Sequence, residues 1–307
     1  MTTRQLFGVG VGPGDPELVT IKAVRILAEA GLVLVPVMAG GGPAEPGRAE
    51  ATVRAHIEPA RIRRVPFALS DRGGVTRGRL AAWDAAARQV AAAFAAGVST
   101  VAFATIGDPN IYSTFSYLAQ TVRELVPDVV VRTVPGITAM QDLAARSGTV
   151  LAEGIESLVL LPLSRDAGSD PATGSGARSE GATAGSGGPE SATAGGAGPD
   201  AATGSGGGPA ADTPLATLRE ALARHDTVVA YKLGAAASGG RAGLDIPALL
   251  ATLKEAGRLD EAIYGARLGL LGEDIRPASE LAGTTALPYL STLIAPGRRS
   301  GAGSKLR

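Results

Sequence analysis

Three apolar runs in this chain each stop at a turn built from glycine and proline, and that recurrence limits the possible folds more than any other feature. The clearest run is Val101-Ala102-Phe103-Ala104, suited to a buried strand, which breaks at Gly107-Asp108-Pro109 before a helix-like segment opens at Ile111. Leu6–Val11 meets Gly12-Pro13-Gly14-Asp15-Pro16 in the same way, and Val129–Val134 meets Pro135-Gly136-Ile137-Thr138. A strand tip that turns sharply, exposes backbone groups and feeds a helix is where open α/β sheets hold small molecules. Three such tips predict one ligand gripped mainly by backbone.

Strand and helix patterns alternate along the remaining chain, which predicts α/β layers. Helical periodicity runs through Leu18, Ile21, Val24 and Leu27, predicting a helix over 17–30, and a second strand, Leu32–Val35, is expected to end at Pro36. Further strands are expected at 61–67, 100–105, 129–134, 157–163, 227–233, 262–267 and 289–295, with helices over 80–96, 111–126, 138–146, 214–224 and 246–256. The first half is expected to form a parallel sheet, and the break at Val134-Pro135-Gly136 a hinge to a second α/β domain. The expected division is an N-terminal domain over 1–134, a C-terminal domain over 135–297 and a loose tail over 298–307. From Asp166 to Asp212 no Val, Ile, Leu, Met or aromatic residue occurs, and Ala-Thr-Gly-Ser-Gly appears at both 172–176 and 202–206. Such a segment buries too little apolar surface to offset its ordering entropy, so it is read as a flexible insertion in the second domain.

Composition removes several classes of function. Without cysteine, the chain has no disulfide, thiolate metal site or cysteine nucleophile. Its histidines, His56 and His225, sit in no ligand-spacing motif, and no metal site is expected. Acidic and basic residues balance at 29 each, which gives no global signal for nucleic acid or an anionic membrane. No leader pattern or membrane-length apolar run is visible, so a soluble cytoplasmic protein is expected.

The glycines after the first strand invite a dinucleotide-binding reading, which fails on detail. The third glycine of Gly-x-Gly-x-x-Gly falls on Pro13 or Asp15, and the second strand ends at Pro36 rather than at a ribose-gripping acid. Asp15 also places negative charge where a pyrophosphate would sit. Taken together, Gly10-Val11-Gly12-Pro13-Gly14-Asp15, Gly107-Asp108-Pro109-Asn110-Ile111-Tyr112-Ser113 and Val134-Pro135-Gly136-Ile137-Thr138-Ala139 resemble the tetrapyrrole methylase family over nearly the whole chain outside the insertion. Within it, Gly107–Leu118, Tyr264–Gly269 and Gly272-Glu273-Asp274-Ile275 are most similar to the branch that methylates precorrin-2 at C-20. Enzymes that methylate uroporphyrinogen end the second strand in an acidic residue thought to take a proton; Val33-Leu34-Val35-Pro36 has none.

The resemblance implies two α/β domains with S-adenosylmethionine in the cleft between them, and C-methylation of precorrin-2 to precorrin-3A in corrin (cobalamin) biosynthesis. It carries the cofactor contacts onto Pro13, Ile106, Gly107, Asp108, Ile111, Thr138, Ala139, Lys232 and Leu268. Lys232 stands where relatives often have Met, so contact there is expected through backbone. A homodimer is likewise implied by resemblance alone. No catalytic base is assigned: Asp108 is read as a turn-shaping residue, and Tyr112 as a candidate weighed against simple packing. Because the implied substrate is a polycarboxylate, its mouth is expected to be basic. Between Arg48 and Arg88 nine arginines face four acids, and Arg63 and Arg64 are the expected substrate contacts. Other readings remain open: cobalt-loaded factor II or another corrin position as target, a protein or RNA target, or a non-catalytic tetrapyrrole-binding protein.

Overall fold

The computed structural model describes residues 3–38, 46–67, 76–163, 214–234 and 244–299. The glycine-rich insertion at 166–212 and residues 300–307 of the expected tail lie outside the described residues. Arg299, placed in that tail from sequence, is instead anchored: its side chain is 9% exposed and its Nε donates to Glu156 Oε1 at 2.6 Å.

The chain runs β1 (Gln5–Gly10), α1 (Ile21–Glu29), β2 (Leu32–Met38), α2 (Arg48–Val53), β3 (Ile62–Phe67), α3 (Arg77–Ala95), β4 (Thr100–Thr105), α4 (Phe115–Leu125) and β5 (Val130–Val134). These strands form one five-stranded sheet in the order β3-β2-β4-β1-β5, parallel throughout. Residues of β1 and β4 are buried almost end to end, because helices cover both faces of a parallel sheet and leave no polar side. Leu34, Phe67, Phe103, Trp83, Phe94 and Phe115 fill one face; Val9, Leu27, Val33, Val35 and Ala104 fill the other.

A second unit follows: α5 (Ala139–Ser147), β6 (Leu158–Pro162), α6 (Pro214–Arg224), β7 (Thr227–Tyr231), α7 (Ile246–Glu255), β8 (Ile263–Ala266), β9 (Asp274–Pro277) and β10 (Ser291–Ala295). Its sheet, ordered β6-β7-β10-β8-β9, is mixed: β6 and β7 run parallel, and the other pairs antiparallel. α6 and α7 cover one face through Leu218, Leu222, Leu249 and Leu253. α5 covers the other, with Met140 and Leu143 packed on Val229, Leu268 and Ile294. Thus the helix that leaves the first sheet is rooted in the second. Two α/β units result.

The structure departs from the sequence reading locally. β2 runs through Pro36 to Met38, because its ladder with β4 ends at Leu34 and the missing N–H is needed by no neighbour there. The expected helix over 17–30 starts as a 3₁₀ turn, Pro16–Leu18, and α1 opens at Ile21 under a Thr20 cap. α4 starts at Phe115 rather than Ile111, since Tyr112 is left-handed at φ 50° and cannot enter a right-handed helix. α2 and β9 went unpredicted. No helix among the described residues is long and apolar enough to cross a membrane.

Candidate functional site

β4, β1 and β5 are adjacent in the first sheet, so the three glycine-proline turns at their C-terminal ends emerge side by side. They touch. The Gly107 N–H donates to the Gly12 carbonyl at 2.8 Å. A Cβ on Gly10 would lie 2.5 Å from the Gly107 oxygen and 2.6 Å from the Gly136 nitrogen, so only glycine permits this approach. Asp108 binds the second turn to the third: its carboxylate accepts the N–H of Asn110 at 2.8 Å and of Gly136 at 3.0 Å. Both oxygens are engaged and the residue is buried, so Asp108 ties the two turns together.

The second unit closes on the same spot. A Cβ on Gly14 would meet the Leu268 carbonyl oxygen at 2.5 Å, so the turn after β8 lies directly on the first glycine turn. That turn is held by Glu273, which accepts the Gly269 N–H at 2.7 Å and pairs with Arg146 of α5. Hydrogen bonds from Arg146, ahead of burial that opposes them, hold the Glu273 carboxyl below its usual pKa. At the start of α5, Gln141 Oε1 accepts the Thr138 N–H at 2.8 Å. Across the junction, the Tyr112 hydroxyl donates to the Leu160 carbonyl at 3.1 Å, and its ring meets that of Tyr231 edge-on at 6.0 Å. Lys232 Nζ sits 5.5 Å from the Tyr112 ring and 5.8 Å from the Tyr289 ring.

Backbone strain concentrates here. Among the described residues, the non-glycine positions with positive φ are Tyr112 at 50°, Lys232 at 59° and Arg267 at 51°. Each costs on the order of 1–3 kcal/mol and persists only where surrounding structure demands it, a pattern typical of ligand clamps.

Pro13, Ile106, Gly107, Asp108, Ile111, Thr138 and Ala139 all lie on the three first-sheet turns or the α5 start, and Lys232 and Leu268 on the second-sheet loops that face them. The arrangement suits the cofactor implied by the resemblance. Half-buried Ile106 and Ile111 and buried Leu268 offer apolar walls, while the glycine turns bring backbone polar groups close. The Tyr231 hydroxyl, buried beside Thr138 and the Met140 amide, completes no hydrogen bond, and burial pushes its pKa up. A buried hydroxyl in this position has capacity left for a further partner.

The expected substrate pair does not assemble. Successive strand residues point to opposite faces, so on β3 Arg63 turns toward the side of Val65 and Phe67, and Arg64 toward α2. Arg64 is committed to Glu50, its Nε donating at 2.6 Å to a carboxylate that Arg54 also binds. Arg61 caps the end of α1 through the Ala28 carbonyl at 2.6 Å, and Arg88 pairs with Asp84. Sequence reasoning gave no role to Tyr231 or Arg267 and counted Arg48 only as one of the nine arginines of the basic stretch. Arg267 stood inside a quoted motif without a role, and nothing in the local sequence signals its left-handed backbone.

Comparison with known proteins agrees with this geometry. The family model described as Tetrapyrrole (Corrin/Porphyrin) Methylases matches residues 5–282. The cobalamin biosynthesis protein CobIJ of Mycobacterium tuberculosis is 26% identical over 96% of this chain and 46% of its own length. A precorrin-2 C(20)-methyltransferase from a Sinorhizobium species is 34% identical over 52% of this chain and 64% of its own length. The chain therefore spans about half the length of the first of these relatives and under two thirds of the second. Among solved structures, the methyltransferase CobJ superposes with a TM-score of 0.57 at 18% identity, covering 97% of both chains, a likeness of fold.

Proposed function

The chain belongs to the tetrapyrrole (corrin/porphyrin) methylase family, and on that premise we propose that it methylates precorrin-2 at C-20, giving precorrin-3A. The family's methyl donor is S-adenosylmethionine, which supplies an electrophilic methyl on a sulfonium centre. The observation that carries the finer reading is the 34% identity to a relative named for the C-20 reaction, over a region covering 52% of this chain. The missing carboxylate at Pro36 agrees with it, since the uroporphyrinogen branch is expected to need one there.

In this reading the protein's task is alignment. Gly10, Gly107 and Gly136 let three backbone turns close to contact distance, so amides and carbonyls reach a ligand with no side chain between. Asp108 fixes the relative position of two of those turns. Ile106, Ile111 and Leu268 exclude water around a centre whose charge disperses during transfer. Tyr231 offers its unpaired hydroxyl, and Lys232 and Thr138 contribute through the backbone. Holding donor and acceptor in line accounts for much of the rate such a site needs. The meso carbon of a reduced tetrapyrrole is already electron-rich, so the chain supplies no nucleophile. The homodimer implied by the resemblance and the cytoplasmic location expected from the sequence are part of the same proposal, and sedimentation would test the assembly.

A second reading, methylation at another corrin position, is favoured by the alignment of 96% of this chain with CobIJ. One experiment separates the two. Purified protein is incubated with isotopically labelled S-adenosylmethionine and precorrin-2, metal-free or cobalt-loaded, and the product is mapped by carbon NMR. One methyl at C-20 is expected. A methyl elsewhere supports the second reading, and binding without turnover refutes both.

A further inference from the structure

Arg258 is the most deeply buried cation among the described residues, at 6% exposed. It lies far from the crevice. β7 and β8 both run antiparallel to β10, so Lys232 and Leu268 follow one end of the second sheet while Asp226 and Pro296 mark the other. The five residues of β7 separate those ends by roughly 16 Å. α7 delivers the arginine there. Its last turn closes on Gly257, left-handed at φ 63°, whose N–H donates to the Lys254 carbonyl at 2.8 Å, while the Arg258 N–H donates to that of Leu253 at 2.8 Å. This paired closure ends the helix and redirects the chain. The Arg258 side chain then reaches the strand ends: Nε donates to the Pro296 carbonyl at 3.0 Å, and Nη2 to the carbonyls of Ala295 at 2.9 Å and of Asp226.

Burying a cation is unfavourable unless opposite charge and hydrogen bonds compensate it fully. Arg258 is compensated in part. No carboxylate of the described residues comes within ion-pair distance of it. Its Nη1, which carries two N–H groups, donates to nothing among them and stays in reach of solvent. Arg258 lines two adjoining hollows, of about 300 and 470 Å³, together with a second guanidinium, that of Arg298. Both volumes fall in the range of small-molecule sites, roughly 300–1,000 Å³. Arg298 Nη2 takes the Ala256 carbonyl, which leaves Nε and Nη1 available, and a side chain on Gly257 would run into this group. Acids close by are engaged elsewhere: Asp226 accepts the N–H and hydroxyl of Ser157, Glu156 binds Arg299, and Glu255 lies beside Arg219. Glu261 lines the smaller hollow without pairing with either arginine. Desolvation, then the charge of Arg298, lowers the pKa of Arg258 from the usual arginine value, so an anion between the two would relieve both effects.

We infer that Arg258 and Arg298 form a binding site for a small oxyanion, a phosphate or carboxylate group, at the end of the second sheet remote from methyl transfer. Arg258 supplies the fixed donor, because its carbonyl partners hold the guanidinium in place before any ligand arrives. Arg298, exposed, supplies the adjustable one. Two planar forks match an oxyanion through paired, charge-assisted hydrogen bonds, which a lysine pair would not. His225 lines the larger hollow and offers a further ring nitrogen. Tying the strand ends together would use Nε and Nη2 of Arg258 alone. It accounts neither for the open Nη1 nor for a second guanidinium beside it.

The test titrates the full-length protein with inorganic phosphate and, separately, with succinate, by calorimetry at low ionic strength. Thermal denaturation in the same solutions provides a second readout. At least one of the two anions is expected to saturate the parent protein and raise its melting temperature, as any ligand of the folded state does. The stronger binder identifies the group as phosphate or carboxylate. Arg298→Gln is expected to weaken binding about tenfold or more, the loss of a charge-assisted hydrogen bond. Arg258→Lys, which keeps the charge and loses the fork, is expected to weaken it as well. The exposed Arg298 keeps the test decisive if Arg258→Lys does not fold. Arg123→Gln, an equal loss of charge on the exposed face of α4, is expected to bind like the parent. Saturating S-adenosylmethionine should leave the anion in place. The inference is overturned if neither anion saturates the parent, if Arg298→Gln binds like it, or if Arg123→Gln loses as much. Displacement by S-adenosylmethionine would overturn it too, by moving the anion into the crevice. Methyl transfer enters none of these readouts, so either proposal can fail alone.

Discussion

Gly10→Ala is the most informative single change, because one methyl group tests the convergence of all three turns. The added Cβ would lie 2.5 Å from the Gly107 oxygen, 2.6 Å from the Gly136 nitrogen and 2.7 Å from the Gly136 Cα, all backbone atoms that no rotamer change can move. Comfortable carbon contacts lie at about 3.5–4.0 Å, so the turns must part by roughly 1 Å. Overpacking of this kind costs about 1–3 kcal/mol, and a misplacement of about 1 Å at a positioned site reduces rate by up to about a hundredfold. The assay pairs thermal denaturation with calorimetric titration of S-adenosylmethionine. The melting temperature should fall by several degrees and cofactor affinity should drop at least tenfold. Gly97→Ala provides the contrast: its φ of 92° makes alanine strained, yet nothing lies within 4 Å. That variant should lose about 1–2 kcal/mol of stability and keep its cofactor affinity. The reasoning is refuted if Gly10→Ala binds cofactor like the parent, or if Gly97→Ala loses affinity equally.

Three further outcomes are expected. Tyr231→Phe removes a buried hydroxyl that has no partner, so the free protein should be unchanged or more stable by up to about 1 kcal/mol while cofactor affinity falls; parallel changes in the two would contradict this. Asp108→Asn keeps one acceptor for the Asn110 and Gly136 amides, so turnover should stay within about tenfold of the parent, whereas Asp108→Ala leaves both amides unpaired and should cost about 2–4 kcal/mol. Loss of turnover in the asparagine variant at unchanged cofactor affinity would instead make Asp108 a proton acceptor. Glu273 is held below its ordinary pKa of 4.5, so its contribution to stability is full above about pH 4.5 and is lost as pH falls through its lower folded value. Glu273→Gln should therefore flatten that acid limb in urea melts taken at a series of pH values, and an unaltered limb would reject the assignment.

The first sheet was legible because parallel strands buried on both faces read as plain apolar runs, as β1 and β4 do. Its turns were legible because backbones that approach as closely as Gly10, Gly107 and Gly136 admit no other residue. α2 escaped because Arg48–Val53 is short and its helical state depends on packing against the first sheet rather than on apolar periodicity. β9 escaped because Asp274–Pro277 is a polar strand at a sheet edge. The arginine reading could not see how folding separates its two members. A charge count treats Arg63 and Arg64 alike, while strand alternation and a carboxylate fourteen residues upstream of Arg64 separate them. Lys232 carried the opposite problem, being isolated in sequence and brought beside the Tyr112 and Tyr289 rings only by folding.

α5 begins on the turn after one sheet and is packed on the face of the other. Its opening residues, Thr138 and Ala139, are therefore carried by the second sheet, whereas the Pro13 and Gly107 bends ride with the first. A guest seated against all of them acts as a rivet between two bodies. Parting the two sheets would take apart both halves of that seat at once.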